Sequence, residues 1–140
     1  DYAALKITTN KFLPEYQDQV EKVIVEHVEG DACQTTVIDL RLGKVFTTNG
    51  SIKNLSVDDI VGDADDAMKD AIINSMNNRN ICSWEAENVD EESDITGTEA
   101  GCTIIIKISD DTCYGISYRS GNSTGDMDGF VRDMESLVLN

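Results

Sequence analysis

Residues 102–118 read CTIIIKISDDTCYGISY, and this stretch decides the fold class. β-Branched and aromatic residues flank Asp110-Asp111 on both sides, the composition of two short strands joined by a polar turn. Cys102 to Ser109 and Cys113 to Tyr118 are therefore expected to form a hairpin. Ile104, Ile105 and Ile106 follow one another without alternation, which implies a strand covered on both faces at its centre.

The same reading extends outward. Val20 to Val28 and Cys33 to Leu40 are further strands, separated by the turn Glu29-Gly30-Asp31. Leu42-Gly43 turns the chain into a short strand, Lys44 to Thr47, and Asn49-Gly50 ends it. Val57, Ile60, Val61, Ala64, Ala67, Met68, Ala71, Ile72 and Met76 recur at spacings of three and four, which predicts one amphipathic helix. Ser56 stands at its N-cap, with Asp59 placed to close a capping box. Gly62 inside the stripe is unfavourable for a helix by about 1 kcal/mol relative to Ala, so a break there is expected to divide it. Asn77 to Asn80 closes the helix, Asn being suited to a left-handed terminus. Ile81 to Val89, carrying Trp84, reads as a strand, and Asp90 to Gly101 as an acidic exposed loop. Ser120 to Gly125 is a second loop. Met127, Phe130, Val131, Met134, Leu137 and Val138 form the stripe of a final helix. Residues 1–19 read as a leader with a short helix from Pro14. The expected organisation is thus a single α+β domain over 20–140, ordered β-β-β-α-β-β-β-α, its mostly antiparallel sheet of about six strands carrying both helices on one face.

Charge sets the partner classes. The 140 residues hold 11 basic and 27 acidic side chains, a net charge of −16. The cations are dispersed, whereas nucleic acid and anionic membranes require several on one face. Both are poor partners, and a protein with a basic surface is the complementary one. No apolar run approaches the roughly 20 residues that span a bilayer, so no membrane insertion of this segment is expected. Cys33, Cys82, Cys102 and Cys113 form an even set with no C-x-x-C spacing, which argues against zinc ribbons and thioredoxin-like motifs and predicts disulfides in an oxidising compartment. The chain opens at Asp1 without an initiator Met, consistent with an export signal removed by processing.

From residue 75 onward the chain shows NICSWEAE (80–87), an acidic loop, CTIIIKISDDTCYGISYRSGN (102–122) and a terminal amphipathic helix; IDLRLGKVFTTNG (38–50) precedes them. This succession resembles a loose group of small exported or lipoprotein domains of Gram-positive bacteria. The resemblance covers about the last hundred residues and is architectural. It implies an α+β domain outside the cytoplasm and transfers no functional residue. The cysteines are a departure from that group.

Several residues invite chemical readings. Thr124 to Glu135 copies much of a calcium loop, with Asp126 and Asp128 at its third and fifth positions, Gly129 at the sixth and Glu135 at the twelfth. The first ligand is Thr, Arg132 occupies the ninth position, and a strand rather than a helix enters. Acids at a helix N-terminus explain the same residues. The groups Asp63-Asp65-Asp66 and Asp90-Glu91-Glu92-Asp94 read as solvated faces. His27 is the single histidine and would need a nucleophile such as Cys33 beside it to act as a base; no nucleophile elbow or phosphate-binding glycine loop accompanies it. Trp84, Tyr114 and Tyr118 read as core aromatics, with a ligand-stacking platform as the rival. Sequons at Asn49, Asn54 and Asn122 decide nothing.

The residues therefore predict no catalytic site and no cofactor. They point to a non-enzymatic extracytoplasmic domain that binds a protein or serves a structural role, with Asp59, Asp63, Asp66 and Asp70 as an acidic face on the first helix. The alternatives are an acidic immunity or inhibitor protein that neutralises a basic enzyme, and a pilin-like subunit.

Overall fold

The computed structural model describes residues 5–84, 101–119 and 125–139. Its element order is β1 (Lys22–Glu29), β2 (Ala32–Asp39), β3 (Lys44–Asn49), β4 (Ile60–Asp63), α1 (Asp66–Asn78), β5 (Gly101–Lys107), β6 (Cys113–Arg119) and α2 (Gly125–Leu139), with short 3-10 turns between several of them. The strands form one antiparallel sheet in the order β4-β3-β2-β1-β5-β6. This is the expected α+β class of six antiparallel strands and two helices.

Register explains the core. Val23 lies opposite Ile38 on one side and Ile106 on the other, and Val25 lies opposite Ile104. Because successive side chains alternate across a strand, these residues share the face on which the helices pack. Ile72 and Met76 of α1 and Met127, Phe130 and Met134 of α2 close the same cluster. Ile24, Val37 and Phe46 point to the other face, where Leu5, Ile52, Leu55 and Ile105 pack on them. The isoleucine run is thus covered on both sides, as its lack of alternation required.

Residues 5–19 are built into this structure. Thr8 and Thr9 donate backbone N–H groups to the Cys113 carbonyl at 2.8 and 3.2 Å, and Gly115 donates to Thr9. The Ile7 side chain occupies the space that a Cβ at Gly115 would fill. Phe12 is 1% exposed and meets Tyr114 and Tyr16 edge-on at 5.3 and 5.5 Å. Pro14–Gln19 form a 3-10 helix.

Two element assignments change. The expected helix from Ser56 is divided: the Ser56–Asp59 capping box caps only the 3-10 turn Val57–Asp59, and Ile60–Asp63 is an edge strand on β3 with a bulge. The α-helix begins after a second cap, Asp65, whose carboxylate accepts from Met68 N–H at 2.9 Å. β-Branched Ile60 and Val61 next to Gly62 favour the strand over the helix. The expected strand Ile81–Val89 is also revised over its first half, since Ile81–Ser83 is a 3-10 turn. Asn80, at φ 56°, reverses the chain, and Trp84 turns inward to donate to the Arg79 carbonyl at 2.8 Å. The remainder of that stretch, the acidic loop 90–100 and the loop 120–124 lie outside the described residues.

Candidate functional site

The acidic residues of α2 each meet a separate partner. The Tyr118 hydroxyl donates to Asp128 at 3.1 Å, and Asn80 donates to Asp126 at 3.4 Å. Ser75 and Arg79 converge on Asp133 at 2.7 and 3.1 Å, while His27 Nδ1 lies 3.3 Å from Glu135. Gly125–Leu139 is one continuous helix, so the calcium-loop candidates Asp126, Asp128 and Glu135 do not encircle a point. Nine residues of helix separate Asp126 from Glu135 by about 14 Å along the axis. Thr124 lies outside the described residues, among which no group of acids, cysteines and histidine is arranged to hold a metal.

His27, Cys102 and Tyr118 form one row across β1, β5 and β6, which brings a thiol beside the single histidine. Cys33 shares a recess with His27 but sits one register step on, on the opposite face of the sheet, so the cysteine that the register sets beside the imidazole is Cys102. Its chemistry is that of a core thiol. Burial pushes Cys102 up to about 11, leaving roughly one molecule in ten thousand as thiolate at neutral pH. Burial, with Cys102 and Asp128 nearby, also raises Tyr118. The hydrogen bond to Glu135 raises His27 against the opposing effect of burial. For Asp133, burial acts to raise the carboxyl, but Arg79 and Ser75 outweigh it and hold it below the usual range. These shifts belong to pairs that fasten α2 to the sheet and to α1.

The expectation of disulfides is overturned: Cys33, Cys82, Cys102 and Cys113 are all free. Cys33 is opposite Val28 and Cys113 opposite Lys107, itself opposite Lys22. Six residues of strand therefore separate them lengthwise, about 20 Å, far beyond the 4.4–6.8 Å between Cα atoms that a disulfide spans. Cys102 faces the helices, on the side of the sheet away from both. Cys82 sits in the turn after α1, against the helix-side core.

Trp84, Tyr114 and Tyr118 are core aromatics, as expected, though Trp84 reaches the core from a turn. Tyr114 and Tyr118 are buried on β6, and Trp84 is not on a strand but packs edge-on against Phe130 at 5.6 Å. None offers an open ring face.

The acidic face is arranged differently from its expected form. Asp59 belongs to the 3-10 turn, Asp63 to β4, and only Asp66 and Asp70 to α1, so the four do not line one helix side. The stretch 58–70 still holds Asp58, Asp59, Asp63, Asp65, Asp66 and Asp70 against Lys69 alone, with Asp65 and Asp66 lining a recess beside Glu21, Leu40 and Arg41. Lys69 reaches the Asp18 carbonyl. Asp63 pairs with Lys44 at 2.6 Å, in an exposed geometry that solvent screens.

Within this acidic segment stand Val57, 78% exposed, Val61 at 52% and Ile60 at 38%. Sequence reasoning placed these side chains on a buried helical stripe and so missed them. The signals that mark them are the β-branched pair before Gly62 and the second N-cap at Asp65. Comparison of the chain with protein-family models, curated proteins and solved structures finds no match. No helix among the described residues is long and apolar enough to cross a membrane.

Proposed function

We propose that this chain is a non-enzymatic binding domain whose partner is a protein with a basic surface. The observation that carries the reading is the segment 57–70, where exposed carboxylates surround side chains of a kind that folding ordinarily buries. Apolar side chains within a charged rim are the anatomy of a protein interface, and a concentrated negative field accelerates encounter with a cationic partner.

Among binding proteins, the form this supports best is the acidic inhibitor or immunity type, acting on a basic enzyme. Its specific support is the set of four separate thiols, which suits a reducing compartment. The extracytoplasmic surface or lipoprotein-type module is the second reading and rests on the architectural resemblance of residues 75–138. Recovery of a partner on the immobilised domain at low salt, followed by its association rate against ionic strength, tests the proposal. The expected result is a basic protein whose association slows steeply with added salt. A partner without a basic surface, or a rate indifferent to salt, overturns it.

A further inference from the structure

We infer that the outer edge of β4 is a docking edge for an extended, basic segment of the partner, which adds to the sheet as a further strand. The inference rests on the binding function just proposed and names the mode of contact. β4 ends the sheet, and among the described residues only β3 pairs with it.

Backbone directions follow from the ladder. Ala64 N–H donates to the Gly43 carbonyl at 3.0 Å, and Lys44 is opposite Asp63. In an antiparallel pair, bonds made by alternate residues leave the residue between them facing away. The N–H and C=O of Asp63 therefore point out of the sheet. Among the described residues nothing lies within 4 Å of where a Cβ on Gly62 would stand, so the face of β4 at Gly62 is uncovered.

Side chains along this edge select the occupant. Val61 and Ile60 give an added strand apolar neighbours; Asp58 and Asp65 flank them along the chain, and Asp63 shares its charge with Lys44. Edge strands are commonly guarded from pairing by charged side chains, lysine above all, and by shortness and bulges. An edge bordered by acids instead repels acidic and tolerates basic strands. In strand addition, main-chain hydrogen bonds supply affinity and alternate side chains supply selectivity. A segment alternating basic and apolar residues satisfies both requirements here.

The test titrates the full chain at low salt with an end-blocked Lys-Val-Lys-Val-Lys-Val peptide. The comparison is the same peptide N-methylated at alternate residues, which keeps charge and side chains but loses donors. Amide exchange at Gly62 and Asp63 is followed by NMR. Strand addition predicts slower exchange of the Asp63 amide and about a fivefold weaker affinity for the methylated peptide, from the loss of its hydrogen bond to the Asp63 carbonyl. An Asp63→Asn variant should weaken the unmethylated peptide while leaving the protection pattern in place. Equal affinity for both peptides, or an unprotected Asp63 amide, overturns strand addition. If the salt-dependent protein association persists in that case, the binding function stands and only its mode falls; if that association is also absent, both readings fall.

Discussion

Replacing Phe12 by Ala asks whether residues 5–19 belong to the domain. The Phe12 ring is buried between Tyr16 and Tyr114 in the helix-side core. Truncating a buried Phe costs about 3–5 kcal/mol, the transfer and cavity contributions together. The two edge-to-face contacts are already contained in that figure and favour its middle, about 4 kcal/mol. Against a typical total of about 5–15 kcal/mol, this is a large fraction of the fold's stability. At about 2–4 °C per kcal/mol for a chain of this size, the melting temperature should fall by about 8–16 °C. Urea unfolding followed through Trp84, the only tryptophan, measures the change, since Trp84 is buried against Phe130 and reports loss of the same core. Phe12→Leu keeps the site apolar and leaves a smaller cavity, so it should cost less than Phe12→Ala. A loss below about 1 kcal/mol for Phe12→Ala would be that of an ordinary surface or leader residue and would refute the placement of this segment in the core.

Thiol titration in denaturant should find all four cysteines reactive, and in the native protein Cys102 and Cys113 should react more slowly than the partly exposed Cys33 and Cys82; fewer than four in denaturant would restore the disulfides. The His27–Glu135 contact should make stability depend on pH: with His27 raised above 6.5 in the folded chain, its contribution is complete below that pH and is lost as pH rises through the raised value. The stability difference between the native chain and His27→Gln should therefore shrink from acidic toward alkaline pH in paired urea titrations, and a difference that grows with pH would contradict the sign.

Much of the fold was legible because local chemistry and tertiary packing agree. The hairpin at 102–118, the strands on either side of Gly30 and the terminal helix stripe each bury the face their periodicity selects. Where two local structures were nearly balanced, long-range contacts chose between them. Ile60 to Asp63 fits either a helical stripe or a short strand, and pairing with β3 decided for the strand. That choice turned Val57, Ile60 and Val61 from expected core residues into exposed ones and dispersed the four acids assigned to one helix face.

The sequence by itself determined the antiparallel α+β class, the net negative charge and the dispersal of the cations, because composition and periodicity are properties of the chain alone. Tertiary structure decided what depends on register. Strand pairing sets Cys33 and Cys113 about 20 Å apart lengthwise, so an even cysteine count does not become a disulfide. The same register sets Cys102 beside His27 but buries the thiol among Tyr118 and the core, which keeps it protonated. Phe12 stands in a stretch with weak local signals, and only the meeting of distant segments at β6 shows that the core closes over it. Separation along the chain carries no information about which strand lies next to which, and that order set Ile60 and Val61 on the outermost strand of the described sheet.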